Sequence, residues 1–358
     1  MEGVADDAIG RILNHAKVHH GLTEGSLNNA IIKFRSRADY LEKYNGLPLP
    51  NMKYVSKNSS FSITATAAQT RTLLSRLPFI LNLVDGFRKK QVFFSSEHFK
   101  CFSLLIKINS FLHSPCLYSS DVYDLNVLIK KYLHMSVRLY SSTSNVTNRK
   151  PRNIIKPKGH NMCHYANLIF ENGPLRYYST LCHERSMAKY KPTILSKQNP
   201  TIQIARAMRF QMFHYSNFLD TPSRLDTPGG DMSQYSFPGI DLPTTAVCHK
   251  KLRIHGMTLA PGLSVYTATP SPTWLSKASP PEFSKILLIY SICDCTYIVV
   301  QQLHVQQFSR IFMAYEVTDT LCYKIVPVNS LFFQKTFSIH EFSNKMLLFP
   351  DSLPYKEY

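Results

Sequence analysis

Paired cysteines, long hydrophobic runs and acidic residues are all scarce in this sequence of 358 residues. None of the eight cysteines belongs to a Cys-x-x-Cys pair, so we expect reduced thiols rather than a disulfide framework, with Cys293 and Cys295 as buried free thiols. The most apolar stretch, residues 286–300, is interrupted by polar residues and is shorter than the about 20 residues of a membrane-spanning helix. The acidic first residues lack the basic and apolar segments of a secretory signal. These absences predict an intracellular protein without a membrane partner.

The common catalytic motifs are missing as well. The sequence contains no Gly-x-Ser-x-Gly elbow, no Walker A motif and no Gly-x-Gly-x-x-Gly loop. Residues 51–200 contain only six carboxylates, so the sequence does not indicate the carboxylate cluster that a two-metal nuclease needs. We therefore predict no enzymatic activity, no small-molecule substrate and no cofactor, with zinc as the one alternative considered below.

The positive charge of the chain, +18 in all, is concentrated between residues 51 and 200. This part contains 22 lysines and arginines against six acidic residues, whereas residues 201–358 contain 13 against 11. Lysine and arginine side chains bind phosphate backbones because the neutralised phosphates release counterions. The pattern therefore favours DNA or a nucleoprotein as the partner, over the alternative of a basic surface without a ligand. A DNA-binding role makes the nucleus one candidate location.

The candidate phosphate contacts lie in and after one polar stretch. Residues 141–148 are polar without an apolar period, which predicts a loop that leads into a basic segment. The basic residues singled out for nucleic-acid binding are Arg149, Lys150, Arg152, Lys156, Lys158 and Arg176. Arg176 is followed by Tyr177 and Tyr178, whose rings are equally consistent with stacking on bases and with packing in the core.

Helical periodicity dominates the first half of the chain. Apolar residues recur at helical spacing over residues 67–84, where Pro78 is expected to kink or break the helix, and again over residues 97–112. A third helix is predicted to begin near Ser120 or Asp121, either of which can cap it. We expect the three helices to pack together, with the lysines of the third helix solvated on the outside of the bundle.

Short β-branched and aromatic runs dominate the end of the chain. The runs are 286–290, 297–303, 314–317 and 322–326, and turn-like residues separate them. The predicted fold class is α+β, with an N-terminal helical bundle followed by a small, mostly antiparallel β-domain. The predicted boundaries are an N-terminal extension at 1–60, a basic helical domain at 61–215, a Pro- and Gly-rich linker at 216–245 and the β-domain at 246–358. The β-domain is a candidate surface for binding other proteins.

One segment contains a distinctive motif. It reads Lys-Pro-Lys-Gly-His-Asn-Met-Cys-His-Tyr over residues 156–165, continues with a Gly-Pro-Leu turn at 173–175, and includes Glu184-Arg185 shortly before a further pair of lysines. This pattern resembles the conserved region C-terminal to the catalytic core of CACTA/EnSpm-type transposases and of related transposon-derived animal proteins. The motif positions whose role the resemblance leaves open are His160, His164, Tyr165, Gly173, Pro174, Leu175, Glu184 and Arg185.

The resemblance implies a specific kind of protein. In that family the DDE-type nuclease core lies outside the region that this chain resembles. The resemblance therefore implies a transposase-derived protein without strand-transfer activity. Together with the charge pattern it predicts a non-catalytic protein whose basic helical module binds DNA or a nucleoprotein partner. The chain departs from the family pattern at Ser179 and Cys182, which indicates a divergent copy and leaves a degenerate fragment without activity as an alternative.

A zinc site is the remaining alternative. His160 and His164 stand four residues apart, so a helix would place them on one face, and Cys182 and His183 are further ligands nearby in the sequence. No Cys-x-x-Cys pair accompanies them, so structural histidines with hydrogen bonds are the favoured interpretation. A zinc-dependent enzyme or a zinc-stabilised domain stays open as the alternative function.

Overall fold

The computed structural model describes residues 2–37, 49, 52–55, 60–63, 65–85, 87, 90–114, 117–140, 157–175, 205, 227–228, 234–243, 245–254, 257–267, 281–293, 295–331 and 336–350. Its helices are α1 (Glu2–His20), α2 (Glu24–Arg37), α3 (Ala67–Leu83), α4 (Lys90–Ser95), α5 (Glu97–Leu112), α6 (Ser119–Tyr140), α7 (Pro157–Asn161) and α8 (Tyr165–Asn172). Its strands are β1 (Met52–Val55), β2 (Ser60–Ile63), β3 (Thr227–Pro228), β4 (Val247–Ile254), β5 (Met257–Leu259), β6 (Ser264–Tyr266), β7 (Phe283–Ile292), β8 (Cys295–Ser309), β9 (Ala314–Pro327), β10 (Thr336–Phe337), β11 (Ile339–Phe342) and β12 (Lys345–Leu348). A helical part followed by an antiparallel sheet confirms the predicted α+β class. None of the described helices is long and apolar enough to span a bilayer.

Two of the predicted helices begin where polar side chains cap their first free N–H groups. At α3, Gln69 N–H donates to the Thr66 hydroxyl over 3.4 Å, and Thr66 N–H donates to the Gln69 side-chain oxygen over 2.9 Å. At α5, the Ser96 hydroxyl accepts the N–H of Phe99 at 3.2 Å. Both helices therefore begin at the residues that the sequence pattern indicated.

The start of α6 differs slightly from the prediction. The helix begins at Ser119, and Asp121 accepts a hydrogen bond of 3.1 Å from Tyr118 N–H. Asp121 thus satisfies a backbone donor from inside the first turn, and its negative charge there complements the positive end of the helix dipole. The helix thus starts earlier than predicted, and the two predicted capping residues, Ser120 and Asp121, both lie inside its first turn.

Pro78 does not end α3, although the sequence predicted a kink or a break there. The helix continues from Ala67 to Leu83 with Pro78 inside it. Proline lacks an N–H group, so one helical hydrogen bond is lost. Leu77 and Phe79, on either side, are fully buried, and the hydrophobic burial of these neighbours holds the segment in the helix.

Helix α1 is central to the helical packing, which the sequence patterns did not predict. Ile9, Ile12 and Leu13 of α1 are fully buried, and α1 contacts α3, α5 and strand β2. Helix α2 is held against β1 by Asn28, whose side chain donates to the Met52 carbonyl at 2.9 Å and accepts the Met52 N–H at 2.8 Å. The predicted helices α3, α5 and α6 share one apolar cluster, as expected, but α1 lies in it with them.

The second half of the chain is organised around one antiparallel sheet. The strand order is β10-β6-β7-β8-β9-β12-β11, and β4 pairs with β7 as well as with β3 and β5. The runs predicted at 314–317 and 322–326 are two parts of the single strand β9. The predicted runs 286–290 and 297–303 lie within β7 and β8.

A bulge explains why β9 resembles two strands in the sequence. Gln301 of β8 pairs with Tyr323 of β9, and Leu303 pairs with Asp319, so a step of two residues along β8 matches a step of four along β9. The two extra residues of β9 interrupt the regular strand pairing there. Leu321 lies in this bulge and is 88% exposed.

Apolar groups cover both faces of the middle of the sheet. On one face, Leu259 and Leu263 pack with Ile286 of β7. On the other face, Phe237 and Leu242 pack with Tyr290 and its neighbours. The residues that cover this second face belong to the stretch predicted to be a linker, so residues 234–243 of that stretch are packed on the sheet. The other predicted boundaries stay predictions.

The helices and one end of the sheet share a continuous core. A single apolar cluster contains residues of α1 to α6 together with Tyr315 of β9 and Leu347 of β12. Aromatic rings meet at this junction, where the Phe79 ring centroid of α3 lies 5.9 Å from that of Phe349 and 5.6 Å from that of His340. The helical part and the sheet are therefore held together by hydrophobic burial as well as by ring contacts.

The thiols at the turn between β7 and β8 are exposed, so the prediction of buried thiols there is wrong. Ile292 pairs with Cys295, which leaves a two-residue turn, and Cys293 has a φ of +52° in that turn. The tip of a hairpin projects beyond the paired strands, so neither thiol reaches the core. The described free thiols that are buried belong to Cys101 and Cys248.

Candidate nucleic-acid interface

Helix α6 has one buried face and one exposed face. Leu125, Ile129 and Tyr132 are buried against the core. The exposed face, called here the α6 basic face, consists of Tyr123, Asp124, Val127, Lys130, Lys131, His134, Val137 and Arg138, with three cations against the one carboxylate of Asp124. Spacings of three and four residues place these side chains on one side of the helix. The prediction that the lysines of this helix lie on the outside of the bundle is confirmed.

The cations of the α6 basic face differ in their ion pairing. Lys130 and Lys131 form no ion pair with any residue in the described part of the chain. Arg138 donates to Glu97 of α5 over 2.8 Å, and Lys100 donates to the same carboxylate over 2.8 Å. The hydrogen bond from Lys100 is the largest of the effects that hold the pKa of Glu97 below its usual value. The two α6 lysines are thus the cations of this face that are open to a ligand.

The predicted basic segment follows helix α6 in the sequence. Helix α6 ends at Tyr140 and α7 begins at Pro157, so residues 141–156 connect the two helices. Four of the predicted contacts, Arg149, Lys150, Arg152 and Lys156, belong to this connection and lie outside the described residues, as does Arg176. Helix α6 also packs against α8. The predicted basic segment therefore belongs to the connection between α6 and α7.

Lys158 is the predicted phosphate contact that the structure describes. It is exposed on α7. Its side chain lies beside Gly3 of α1, where an added Cβ would come within 3.0 Å of the Lys158 Cδ atom. The absence of a side chain at Gly3 gives the lysine stem room to lie there. Lys158 thus adds an exposed basic group on α7, beside the start of α1.

Several positions of the sequence motif stabilise the turn after α8. Gly173 has a φ of +83° and donates its N–H to the Ile169 carbonyl at 2.8 Å, which ends the helix. A residue with a Cβ is disfavoured at that φ. Tyr165 and Leu175 pack against the helical core, and burial raises the pKa of Tyr165. Pro174 is half-buried beside them. These motif positions have structural roles, while Glu184 and Arg185 lie outside the described residues.

The two histidines of the motif lie close together on the surface. The ring centroids of His160 and His164 are 5.4 Å apart and both residues are exposed. Among the described residues, no group of three or more His, Cys, Asp or Glu side chains is placed to hold a metal ion. Cys182 and His183, the other two proposed ligands, lie outside the described part. Zinc binding therefore stays the untested alternative to structural histidines.

A groove of about 850 Å³ lies beside the β11–β12 hairpin. Its lining includes Lys285 and Lys345, which are both paired within the chain. Lys345 lies 2.9 Å from the carboxylate of Glu316, and Lys285 lies 3.7 Å from that of Asp319. Because each lysine has an acidic partner, the groove presents less positive charge to an anion than the α6 basic face does.

Sequence reasoning missed the apolar part of the candidate interface. Tyr123 is 70% exposed on α6, and Phe170 is 77% exposed on the adjacent helix α8. The helical period alone separates Tyr123 from the buried Leu125 and Ile129, so that signal was present in the sequence. The position of α8, the helix that carries Phe170, next to α6 depends on tertiary packing, which no local pattern gives.

Comparison of the chain with protein-family models, with curated proteins and with solved structures found no match. The resemblance to transposases therefore stays a prediction.

Proposed function

We propose that this chain is a non-catalytic DNA-binding protein, and that its DNA contact consists of the α6 basic face and the basic segment 149–158. The observation that carries the proposal is the position of Lys130 and Lys131 on an exposed helix face, without acidic partners among the described residues. From the end of that helix the chain leads directly into Arg149, Lys150 and the other predicted contacts.

The chemistry of these side chains fits a phosphate backbone. Lysines on a helix face are mobile point charges that neutralise phosphates without reading the base sequence. Each neutralised phosphate contributes about 0.9 to the slope of log K against log salt concentration on duplex DNA. Binding through this surface should therefore be steeply salt-dependent and show little sequence preference.

The exposed ring of Tyr123 adds a second possibility for contact. It lies on the same face as the lysines and is 70% exposed. An aromatic ring beside cations can stack on an unpaired base, which contributes about 1–3 kcal/mol per base. A preference for single strands that is lost in Tyr123→Leu would assign this role to the ring.

The direct test is binding of the purified full chain to labelled duplex and single-stranded DNA across a salt series. We expect the duplex slope to fall by about 2 when Lys130 and Lys131 are both changed to Gln. Changing Arg149, Lys150, Arg152 and Lys156 to Gln should lower it further. Absence of binding at low salt, or a slope near zero, would overturn the proposal.

The matched control is the pair Lys250→Gln and Lys324→Gln. Both lysines are exposed on strands of the sheet, so the change in net charge is the same as in the α6 pair. We expect the slope of this control to stay within experimental error of the unmodified chain. An equal loss in both pairs would show that net charge, and not the α6 basic face, determines binding.

A further inference from the structure

Four histidine rings meet at the C-terminal end of α1. His15 stacks on His98 of α5 with ring centroids 3.9 Å apart and an interplanar angle of 16°. Its centroid also lies 4.8 Å from that of His19 and 5.4 Å from that of His20, both on α1. We call these four residues the histidine cluster.

The surroundings of the histidine cluster are largely aromatic. The ring of Phe93 in α4 lies 5.3 Å from His20 and 6.2 Å from His15. His20 is buried, and the Nε2 atom of His15 is buried without a hydrogen bond to any residue that the structure describes. The Nδ1 atom of His98 lies 3.3 Å from the Tyr140 hydroxyl of α6. A proton added to His15 would therefore place a cation among rings, with no acceptor from the described residues at its buried nitrogen.

The charged groups around the cluster do not supply a counterion for His15. Arg11 of α1 is paired with Asp7 at 2.6 Å and lies over the Tyr140 ring. The nearest acidic group from α5 is Glu97, which favours a charge on His98 but already accepts from two cations. From α4, Lys90 donates to the Asn82 carbonyl at 2.9 Å. Asp7 and Glu97 are thus already engaged by cations of the chain.

Burial and the neighbouring imidazoles both lower the pKa of two of the rings, those of His15 and His98. Burial, followed by the neighbouring imidazoles of His98, His19 and His20, lowers the pKa of His15 to about 4. Burial and His19 also lower the pKa of His98, and Glu97 opposes them. The C-terminal end of a helix attracts cations, but this effect falls off within one turn, and His15 lies more than a turn from the end of α1.

We propose that the histidine cluster is a pH-sensitive contact, which holds the end of α1 against α4 and α5 while His15 is neutral and releases it when His15 takes up a proton. Release matters for the rest of the fold, because α1 packs against α3, α5 and β2. Its first turn also lies beside Lys158 of the candidate interface. The proposal is independent of DNA binding.

The lowered pKa of His15 makes the folded chain less stable as the pH falls. An unfolded histidine takes up its proton near pH 6.5, whereas His15 in the folded chain does so near pH 4. Between these values the unfolded state binds more protons, so stability falls as the pH falls. Above pH 6.5 the full stabilisation is present, and below about pH 4 no further loss occurs.

The first test compares the pH dependence of urea unfolding in three full-length chains. His15→Phe keeps a stacked ring but cannot titrate, and His304→Gln removes an exposed histidine of β8 as the matched control. Between pH 7 and pH 5, we expect the unfolding equilibrium constant of the unmodified chain to rise about tenfold more than that of His15→Phe, after a discount for partial solvent screening. His304→Gln should behave like the unmodified chain. Equal pH dependence in all three chains would overturn the proposal.

Two further measurements need no substitution. Titration of the His15 ring resonance by NMR in the unmodified chain should give a pKa near 4. A pKa near 6.5 would overturn the proposal. Hydrogen exchange, corrected for intrinsic rates, should become faster in α1 at pH 5 than at pH 7 while β8 stays protected. Equal acceleration in α1 and β8 would mean global unfolding and would also contradict it.

Discussion

The guanidinium group of Arg76 lies over the ring of Phe349, 4.2 Å from its centroid. Arg76 belongs to α3 and is 2% exposed, whereas Phe349 directly follows β12 and is fully buried. A desolvated contact of this kind contributes about 2 kcal/mol. The ring of Phe349 also lies 5.3 Å from that of His340 on β11. One aromatic residue near the end of the chain thus links the helical part to the sheet.

Phe349→Ala should lower the free energy of unfolding by about 3–5 kcal/mol. The substitution removes a buried ring and leaves a cavity. It also removes the aromatic ring that the Arg76 guanidinium contacts. Urea unfolding followed by circular dichroism measures the change. Leu321→Ala is the control, because this leucine is 88% exposed and its loss should change stability by less than about 0.5 kcal/mol. Similar values for the two variants would contradict the burial of Phe349.

Gly173→Ala and Gly25→Ala should change stability in opposite directions. Gly173 has a φ of +83°, so alanine there should cost about 1–2 kcal/mol. Gly25 lies in α2 with no atom within 4 Å of an added Cβ, so alanine there should stabilise the helix by up to about 1 kcal/mol. Thermal unfolding of the two variants checks the signs. A loss of equal size at both positions would refute the role of Gly173 in ending α8.

Glu97→Gln should strengthen DNA binding. The change releases Arg138 and Lys100 from the carboxylate that they share, so more cations become available to phosphates beside the α6 basic face. We expect the duplex salt slope to become steeper by about 1. Asp85→Asn is the matched control, since it makes the same change in charge but releases Lys33, which lies on α2. An equal increase of the salt slope in Asp85→Asn would show that net charge alone determines the change.

The exposed and buried thiols should react at different rates with an alkylating reagent. Cys163, Cys293, Cys295 and Cys322 are exposed, whereas Cys101 and Cys248 are buried. Burial also raises the pKa of both buried thiols and so lowers the fraction of reactive thiolate. Peptide mass spectrometry after a short pulse should show at least about tenfold slower labelling of the buried pair. The difference in labelling rate should disappear in urea. Equal labelling rates in the folded chain would contradict the burial of Cys101 and Cys248.

Local patterns predicted those parts of the fold that depend on neighbours in the sequence. The capping box of Thr66 and Gln69, the Ser96 cap and the apolar periods were sufficient to locate α3 and α5. They also gave the exposed position of Lys130 and Lys131, because a helix fixes which residues share a face. They failed at Pro78, since the burial of Leu77 and Phe79 stabilises the helix through contacts that the sequence does not display.

The sequence by itself determined the α+β class, the concentration of positive charge before residue 200 and the main helices, because composition and short-range hydrogen bonds suffice for these. Only the tertiary structure placed α1 in the core, joined β9 across its bulge, and exposed Cys293 and Cys295 at the tip of a hairpin. The histidine cluster also depends on the tertiary structure, because His15 and His98 lie on different helices. Their contact depends on the packing of α1 against α5, and packing of this kind is decided by the surface that all elements bury together and not by any one segment.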